Sequence, residues 1–336
     1  MRAVLVGLGA VGTRAARQLL SSKSVDHLTI LARNLKKARA QAGTLAGPFS
    51  IEELSLAGAA AAFRAAAVAV LSAPDPSGRL ARLSIEASVP VVSVSDDMAE
   101  VRALLELDQE ARAKGLSVVA GAAMAPGLSC LLAAWAATKL DRLCEVHVAT
   151  LGTGGPQCAR RRHASLGATV EEWRDGSWAR RVGSSGRELV WFPGQVGAAD
   201  CYRVNRPDIT LVVRAFPGVS CVTTRAAASR RDRMTSWLPM LRPPHPEGTV
   251  GAVRVEVRGF GSQQARSVIV GATGRPAFLA ATVAATSALR AATGQLLAGS
   301  GGLASLAPDP AAMLAELLER GAELMVFEGA PVTPAW

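Results

Sequence analysis

The chain has 336 residues, of which 49% are hydrophobic, and it carries a formal net charge of +10 at pH 7. Because this length exceeds what one hydrophobic core usually fills, we expect two domains. The positive charge could attract a polyanion, but the arginines are scattered and aromatic residues make up only 4% of the chain. We therefore expect no nucleic-acid partner.

The five cysteines include no Cys-x-x-Cys pair, and the chain has only four histidines. These residues predict neither a metal site nor a disulfide framework, and an odd cysteine count without an export signal is typical of a cytoplasmic protein. The uncharged window 116–138 is long enough to cross a bilayer. Pro126-Gly127 divides it into a strand and a helix, so we expect buried core and no membrane partner.

The chain opens with an apolar strand that runs into Gly7-x-Gly9-x-x-Gly12, and a helix is predicted over 13–20. The glycines would allow a tight turn, a close approach of backbone amides to a pyrophosphate, and close packing of the helix on the strand. A pyrophosphate would then lie at the positive end of the helix, near Ala10 and Val11. This spacing predicts the start of a dinucleotide-binding domain.

A second strand, over 28–32, ends at Arg33-Asn34. An acidic residue at this point usually binds the ribose 2′-hydroxyl of NAD, whereas a cation accommodates the 2′-phosphate of NADP. Because this strand end has a planar, permanently charged guanidinium and no acidic residue, we predict NADP(H) as the cofactor, contacted by Arg33 and Asn34. The alternative is a solvated arginine at the start of a helix over 35–42.

Strands and helices alternate through the rest of the first 125 residues. A strand over 67–71 leads into Ser72-Ala73-Pro74, where ligands of open parallel sheets bind, so these three residues are predicted to contact the cofactor. The remaining elements are strands over 49–54, 89–94 and 116–120, and helices over 79–88 and 98–114. The alternation predicts an α/β fold with a Rossmann-type, doubly wound parallel sheet in a dinucleotide-binding domain over residues 1–125.

From about residue 140 the hydrophobic pattern changes to a period of two. Valines at 253, 255 and 257 alternate with charged residues, and Asp175-Gly176 between two tryptophans predicts a hairpin. We expect a substrate and dimerisation domain over 126–275 with a mostly antiparallel sheet, in which the loop 239–246 connects two strands. Residues 276–336 are expected to supply C-terminal helices that pack back on the first domain.

Four stretches resemble the saccharopine dehydrogenase-like family: 7–12, the strand into Ser72-Ala73-Pro74, 89–97 and 121–129. Fainter similarity continues through 192–197 and 309–321. In the family, a Pro-Gly-Leu segment, here Pro126-Gly127-Leu128, follows the sixth strand beneath the nicotinamide end of the cofactor. The resemblance thus implies cofactor contacts from Met124, Pro126 and Gly127. It also implies hydride transfer between a nicotinamide cofactor and a carbon–nitrogen bond, although 150–250 matches no substrate-binding signature.

Three side chains are candidates for catalysis. Asp97, at the ligand edge of the first sheet, could position substrate or relay a proton, or could cap the helix that follows it. His163 follows three arginines and could donate a proton, or could belong to a solvated basic turn. Tyr202, the only tyrosine, could meet an acidic substrate, or could lie in an edge strand that leads into Pro207. The arginines expected to bind a substrate carboxylate are Arg160, Arg162 and Arg206.

Together these patterns favour an NADP-dependent reductase of an imine formed from an amine or amino acid and a carbonyl compound. One alternative is a reductase of an activated C=C or C=O bond, and another is a non-catalytic NADP(H)-binding redox sensor. The expected partner is a small-molecule substrate. A homodimer is also expected, because the exposed face of an antiparallel sheet in such proteins commonly forms one.

Overall fold

The computed structural model describes residues 1–240, 243–246 and 248–327. The elements of the first 140 residues are, in chain order, β1 (Arg2–Val6), α1 (Ala10–Leu20), β2 (His27–Ala32), α2 (Leu35–Ala42), β3 (Phe49–Glu53), α3 (Leu56–Arg64), β4 (Val68–Leu71), α4 (Arg79–Glu86), β5 (Val91–Ser93), α5 (Met98–Leu105), α6 (Asp108–Ala113), β6 (Ser117–Ala120) and α7 (Leu128–Ala137). The elements that follow are β7 (Arg142–Leu151), α8 (Pro156–Gly167), β8 (Thr169–Arg174), β9 (Ser177–Val182), β10 (Glu188–Phe192), β11 (Gly197–Arg203), α9 (Asp208–Ala215), β12 (Cys221–Ala227), α10 (Arg230–Met234), β13 (Gly251–Gly261), β14 (Gln264–Gly274), α11 (Pro276–Ala292), β15 (Gly299–Gly301), α12 (Leu303–Leu306), α13 (Pro310–Glu319) and β16 (Glu323–Phe327).

The chain divides into two compact units. The first contains Met1–Leu128 and Ala277–Asp309, and the second contains Ser129–Pro276 and the described residues from Pro310 onward. The C-terminal segment is therefore shared: α11, β15 and α12 belong chiefly to the first unit, whereas α13 and β16 belong to the second. This differs from the expectation that all of 276–336 returns to the first domain. The reason is that β16 pairs with β14 and extends the second sheet.

The first unit is built on a seven-stranded sheet in the order β3-β2-β1-β4-β5-β6-β15, with every described pairing parallel. The first six strands follow the order 3-2-1-4-5-6 of the Rossmann fold, which confirms the predicted fold class. The central strands β1 and β4 are almost fully buried. Each of their aliphatic side chains contributes about 1.5–3 kcal/mol when removed from water. Their carboxyl ends meet at one edge of the sheet.

Two predicted elements of this unit differ in detail. The helix expected over 98–114 is interrupted at Glu106 and Leu107, which separate α5 from α6, because Leu107 turns inward and is only 1% exposed. The seventh strand, β15, was not predicted from the sequence. Its residues, Gly299-Ser300-Gly301, pair in parallel with β6. Because these three residues are small, they show no hydrophobic pattern, and the strand is recognised only by its backbone pairing with β6.

The second unit contains a mixed sheet in the order β10-β11-β12-β7-β13-β14-β16, with the hairpin β8–β9 attached to β12. Only β7 and β12 pair in parallel among its described strands, so the expectation of a mostly antiparallel sheet is confirmed. One sheet face buries valines at 146, 148, 253, 255 and 257. The other face carries charged residues. This alternation is the one that the sequence predicted for a half-buried sheet.

The predicted edge position of Tyr202 is wrong. Its strand, β11, lies between β10 and β12, and the Tyr202 side chain is only 6% exposed. The predicted Asp175-Gly176 hairpin joins β8 to β9, and both residues have the positive φ that such a turn requires. The loop 239–246 falls partly outside the described residues. Within the described chain, the structure contains no helix that is long and apolar enough to span a membrane.

Candidate functional site

The glycine-rich turn lies at the carboxyl end of β1, where the strand order reverses between β1 and β4. Gly7 has a φ of +93°, and a Cβ there would approach Ala73 to 2.7 Å. A Cβ on Gly12 would come within 2.3 Å of the Gly7 carbonyl oxygen. Both positions therefore require glycine for the backbone geometry of the turn.

Gly9 differs from its two neighbours in the motif. A Cβ at Gly9 would meet no described atom within 4 Å, so this side of the turn is open. Gly9 is also the N-cap of α1, and no side chain of the described chain caps the helix. The first amides of α1, which include those of Ala10 and Val11, thus begin a helix with no side-chain acceptor. An open approach to uncapped helix amides suits an anion.

The end of β4 is joined to this turn by hydrogen bonds. The Ser72 hydroxyl donates to the Gly7 carbonyl oxygen at 2.7 Å, and the Ser72 and Ala73 amides both donate to the Val6 carbonyl oxygen at 2.9 Å. The hydroxyl and the amide of Ser72 therefore hold the end of β4 against β1. Ala73 is half-buried and Pro74 is exposed at the same edge.

Two buried carboxylates hold the segment after Pro74. The Asp75 carboxylate accepts hydrogen bonds from the Leu80 and Ala81 amides at the start of α4. Glu100, only 1% exposed, accepts the Asp75 amide at 3.2 Å and the Ser93 hydroxyl at 3.3 Å. The backbone after β4 is thus fixed from both sides. The sequence analysis missed Glu100, because a single carboxylate within a helix carries no signal of burial.

Arg33 and Asn34 follow the end of β2. Arg33 is exposed and forms no hydrogen bond or ion pair with any described residue. The Asn34 side chain instead caps α2, where its Oδ1 accepts the Lys37 amide at 2.9 Å. The expectation that no carboxylate lies near this strand end is wrong, because the β2–β3 pairing brings Glu53 opposite Ala32. A cation and a carboxylate therefore both lie near this strand end.

The segment after β6 folds back tightly on itself. The Ala123 amide donates to the Pro126 carbonyl oxygen at 2.8 Å, and the Leu128 amide donates to that of Ala123 at 2.8 Å. Gly127 has a φ of +129°, and a Cβ there would come within 2.4 Å of Ala123 backbone atoms. Met124 and Pro126 are buried. The Pro-Gly pair thus forms a compact turn at the ligand edge of the first sheet.

Asp97 caps a helix, as the alternative interpretation had it. Its Oδ1 accepts the Ala99 amide at 3.0 Å and the Glu100 amide at 3.1 Å, which fixes the start of α5. This carboxylate is half-buried at the same sheet edge as Ser72 and Gly121. Its helix also carries Glu100, so capping by Asp97 supports the buried contacts of that residue.

The second unit contains a pocket of about 450 Å³. It is lined by the end of β7, one face of α8, β11 and the segment from the end of β12 into α10, and its polar side chains include Thr153, Arg162, Asp200, Ser229 and Asp232. The Arg162 guanidinium donates to the Ala227 carbonyl oxygen through Nη1 and to the Asp232 carboxylate at 3.3 Å through Nη2. Its Nε is buried and has no hydrogen-bond acceptor in the described chain.

Asp232 and Asp200 give the pocket negative charge as well. Burial by itself would raise the pKa of the Asp232 carboxyl, but hydrogen bonds from Ser229 and the charge of Arg162 lower it below its ordinary value. Asp232 is therefore ionised at neutral pH. Asp200 pairs with Arg187 at 2.9 Å. The pocket is thus lined by one guanidinium and two carboxylates.

Only Arg162 among the predicted substrate and catalytic residues of the second unit lines this pocket. Arg160 is exposed on α8, and Arg206 is buried at 6% exposure. His163, also 6% exposed, hydrogen-bonds through Nε2 to the carbonyl oxygens of Thr235 and Leu238. The structure therefore gives His163 a structural contact instead of a place in a solvated basic turn, because the segment is helical.

Tyr202 has the Arg233 guanidinium stacked on its ring at 4.1 Å, and Arg203 points to the opposite sheet face, where it pairs with Glu172 at 2.7 Å. Arg203 therefore lies on the opposite side of the sheet from the Tyr202 phenol. No group of three or more metal-ligating side chains occurs among the described residues.

No protein-family model matches the chain, and no curated protein matches it in sequence. Solved structures do match it. Saccharopine dehydrogenase (L-glutamate forming) from Saccharomyces cerevisiae superposes with a TM-score of 0.68 at 13% identity, over 97% of this chain and 99% of that one. The chain has the saccharopine dehydrogenase fold.

Other solved structures share this saccharopine dehydrogenase fold less closely. DAP dehydrogenase from C. glutamicum, in complex with DAP, gives a TM-score of 0.51 at 14% identity over 96% of this chain and 99% of that one. A probable dehydrogenase from Thermotoga maritima gives 0.50 at 11% identity over 96% and 98%. The resemblance seen in the sequence is thus confirmed at the level of the fold.

Proposed function

We propose that the protein is an NADP(H)-dependent oxidoreductase of the saccharopine dehydrogenase-like family that reduces an imine. The observation that carries this proposal is the turn at Gly7–Gly12, which combines an open approach at Gly9 with uncapped helix amides at the point where the strand order reverses. The fold of saccharopine dehydrogenase over 97% of the chain supports the same class of chemistry.

The residues at the edge of the first sheet fit a nicotinamide dinucleotide. Gly7, Gly9, Gly12 and the first amides of α1 would hold the pyrophosphate, because a side chain at any of the glycines would fill the turn or face the anion. Ala73, Pro74 and the folded-back segment with Met124, Pro126 and Gly127 would border the nicotinamide. When bound, the reduced nicotinamide supplies the hydride, and the protein supplies orientation and charge.

The cofactor preference rests on Arg33. Since its guanidinium is exposed and has no partner in the described chain, it can pair with a 2′-phosphate without breaking an existing contact. Glu53, on the neighbouring strand, is the residue that would oppose this preference by binding a ribose hydroxyl. We assign NADP(H) because Arg33 directly follows β2 and would attract the 2′-phosphate, an attraction that we expect to exceed the repulsion between that phosphate and Glu53.

We further propose that the pocket of the second unit receives the polar part of the substrate. Arg162 would bind an acidic group of the substrate through its buried, unsatisfied Nε edge, and Asp232 holds the guanidinium in place. Asp200 and Asp232 would favour a neighbouring ammonium group. A substrate formed from an amino acid and a carbonyl compound carries both groups.

A homodimer through the charged face of the second sheet is part of this proposal. The face carries both signs in alternation, since Glu256 pairs with Arg254 and Arg258, and Arg258 also reaches Glu145. Two copies related by a two-fold axis can match opposite charges across such a face. A cytoplasmic location fits the cysteines, because no two of the five form a disulfide.

The test is turnover. Purified protein mixed with NADPH and pairs of amines or amino acids with carbonyl compounds should oxidise NADPH, measured as loss of its absorbance, only when both members of a pair are present. Consumption of NADPH with a carbonyl or an activated alkene alone would support a different reductase. Tight NADPH binding without turnover on any pair, alkene or carbonyl would support a redox sensor.

A further inference from the structure

Six large apolar side chains of the second unit are exposed in three neighbouring segments. Trp237 is 77% exposed, Val182 is 76% exposed and Trp191 is 66% exposed. The surface that they form, called here the Trp–Arg surface, comprises the apolar residues Trp178, Val182, Leu189, Trp191, Met234 and Trp237 together with the arginines between them. Contiguous exposed apolar side chains rimmed by charge are typical of interaction sites.

Strand register places the first four on one face of the sheet. Trp178 stands opposite Trp173, which stands opposite Val222 on β12. Leu189 on β10 stands opposite Asp200 on β11. Tyr202 lies two residues after Asp200, on the same face, and stands opposite Ala226 of β12. Val222 and Ala226 are four residues apart, so both paths end on the same face. The outer strands β9 and β10 therefore present Trp178, Val182, Leu189 and Trp191 on one side.

The segment with Met234 and Trp237 lies over this same face. Arg233 of α10 stacks on the Tyr202 ring, which projects from that face. The C-terminal end of α8 joins the two parts: the Gly183 amide donates to the Ala168 carbonyl oxygen at 3.1 Å, and a Cβ on Gly167 would come within 2.9 Å of Ser236. Val182 and Trp237 thus flank one helix end.

The charge of the surface is predominantly positive. Residues 177–191 and 229–237 together contain six arginines and two carboxylates. Both carboxylates are already paired, Glu188 with Arg225 at 3.0 Å and Asp232 with Arg162 at 3.3 Å. Arg180, Arg230 and Arg231 are exposed among the apolar side chains. Arg181 and Arg187 pair with Glu172 and Asp200, and Glu171 stands opposite Arg180. The exposed charges of this surface that form no ion pair with a described residue are therefore those of Arg180, Arg230 and Arg231.

We propose that the Trp–Arg surface docks on an anionic phospholipid bilayer. A second copy of the chain is a poor occupant, because a two-fold contact would set one cationic surface against another. Tryptophan side chains prefer the boundary between headgroups and acyl chains, and arginines above them bind lipid phosphates. The sequence analysis expects no membrane partner, because the one window long enough to cross a bilayer is divided by Pro126-Gly127. The residues of the Trp–Arg surface come from separate segments, so no local sequence pattern indicates this surface. The proposal is independent of the oxidoreductase activity.

Co-sedimentation of the full chain with vesicles tests this docking. We expect binding to vesicles of equal parts phosphatidylcholine and phosphatidylglycerol, at least tenfold weaker binding to phosphatidylcholine alone, and loss of most binding in 0.5 M salt. The double variant Trp191→Ala/Trp237→Ala and the double variant Arg180→Ala/Arg230→Ala should each weaken binding at least tenfold. Tryptophan emission of the unmodified protein should shift to shorter wavelength with anionic vesicles.

Matched controls remove the same kinds of side chain elsewhere. Leu56→Ala/Leu318→Ala removes two exposed apolar residues, and Arg39→Ala/Arg64→Ala removes two arginines of the first unit; both should bind vesicles as the unmodified protein does. Absence of vesicle binding, or equal loss in the control variants, would overturn the proposal. A change of oligomeric state in Trp191→Ala/Trp237→Ala, measured by sedimentation velocity, would assign the surface to a second copy instead. Circular dichroism spectra and urea-unfolding midpoints equal to those of the unmodified protein would show that all four variants remain folded.

Discussion

The candidate site of the first unit consists mainly of backbone groups, whereas that of the second unit depends on side chains. In the first, the ligand-facing atoms are backbone amides at Gly9 and the start of α1, held by glycines that lie within six residues of one another. In the second, the pocket depends on the Arg162 side chain, the Ala227 carbonyl and Asp232, which lie as much as 70 residues apart in the chain. A site made of backbone leaves a local pattern in the sequence, whereas a site made of distant side chains does not.

The largest expected effect is on NADPH binding and concerns Gly9. Gly9 leaves space for a ligand, whereas Gly7 and Gly12 are required by the backbone geometry of the turn. Gly9→Asp should weaken NADPH binding more than about 100-fold, because the new carboxylate would enter the open space that suits a pyrophosphate. The protein should remain folded, since no described atom lies within 4 Å of the added Cβ. Nucleotide titration and circular dichroism measure the two properties.

Gly9→Ala is the matched control, because its methyl group adds no charge and meets open space. It should bind NADPH much more tightly than Gly9→Asp does. If Gly9→Asp binds NADPH as tightly as the unmodified protein does, the glycine motif is only a structural turn. The first unit would then have no cofactor site built from backbone amides at this turn.

The second prediction concerns Arg162, the side chain that defines the pocket of the second unit. Arg162→Ala should lower kcat/KM for the true substrate by about 10- to 100-fold, which corresponds to one charge-assisted hydrogen bond of about 1.5–3 kcal/mol. NADPH affinity should stay within about twofold, because the cofactor residues belong to the first unit. Steady-state kinetics and nucleotide titration measure both.

Arg160→Ala is the comparison for Arg162→Ala, since Arg160 lies on the same helix but is exposed and does not line the pocket. It should retain nearly full activity. If the two variants lose activity equally, the pocket is not the substrate site and the basic character of α8 acts in some other way.

Much of the first unit could be predicted from the sequence, and less of the second. The alternation of strands and helices, the turn at Gly7 and the alternative that Asp97 caps a helix depend on residues close together in the chain, where short-range patterns operate. Asn34 was predicted to contact the cofactor, but its side chain caps α2. Glu53 beside Ala32 could not be predicted, because the two residues lie on different strands joined by α2, and only the folded sheet fixes their register. The strand β15 could not be predicted, because Gly299-Ser300-Gly301 has no hydrophobic pattern.

In the second unit one alternative for the basic run Arg160-Arg161-Arg162 was a solvated turn, but the run lies within α8. The Gly-rich residues before it suggested a loop, and Pro156 is a favourable first residue of a helix. Which of these arginines faces the pocket is decided by packing on α10 and β12. Sequence could name the residue type, but only the fold distinguishes Arg162 from Arg160.

The third prediction concerns the preference of the first unit for NADPH over NADH. The unmodified protein should bind NADPH about 10- to 100-fold more tightly than NADH, and Arg33→Ala should erase most of that preference by weakening NADPH alone. Salt should narrow the preference, because Arg33 is exposed. Titration of both nucleotides at 0.05 and 0.5 M salt measures it.

Glu53→Gln provides the opposing variant for Arg33→Ala. If Glu53 disfavours the 2′-phosphate, its neutralisation should strengthen NADPH binding slightly and leave Arg33 as the determinant. Equal affinity of the unmodified protein for the two nucleotides, or a parallel loss of both in Arg33→Ala, would remove Arg33 from this role.

The smallest expected effect lies on the charged face of the second sheet and concerns stability. His147 hydrogen-bonds to Thr223 through Nδ1 and to Glu145 through Nε2, both at 2.9 Å. Burial lowers the pKa of His147 from 6.5 in spite of the raising effect of Glu145. The unfolded chain therefore takes up a proton at His147 before the folded chain does as the pH falls.

It follows that the stability contributed by neutral His147 is complete above about pH 6.5 and declines as the pH falls from there toward the lower folded-state pKa. His147→Gln removes the titrating group, so its midpoint of urea unfolding should fall less between pH 7 and pH 5 than that of the unmodified protein. His27→Gln, in the first unit, controls for the loss of an imidazole. Parallel pH profiles for the unmodified protein and His147→Gln would contradict this contribution of His147 to the pH dependence of stability.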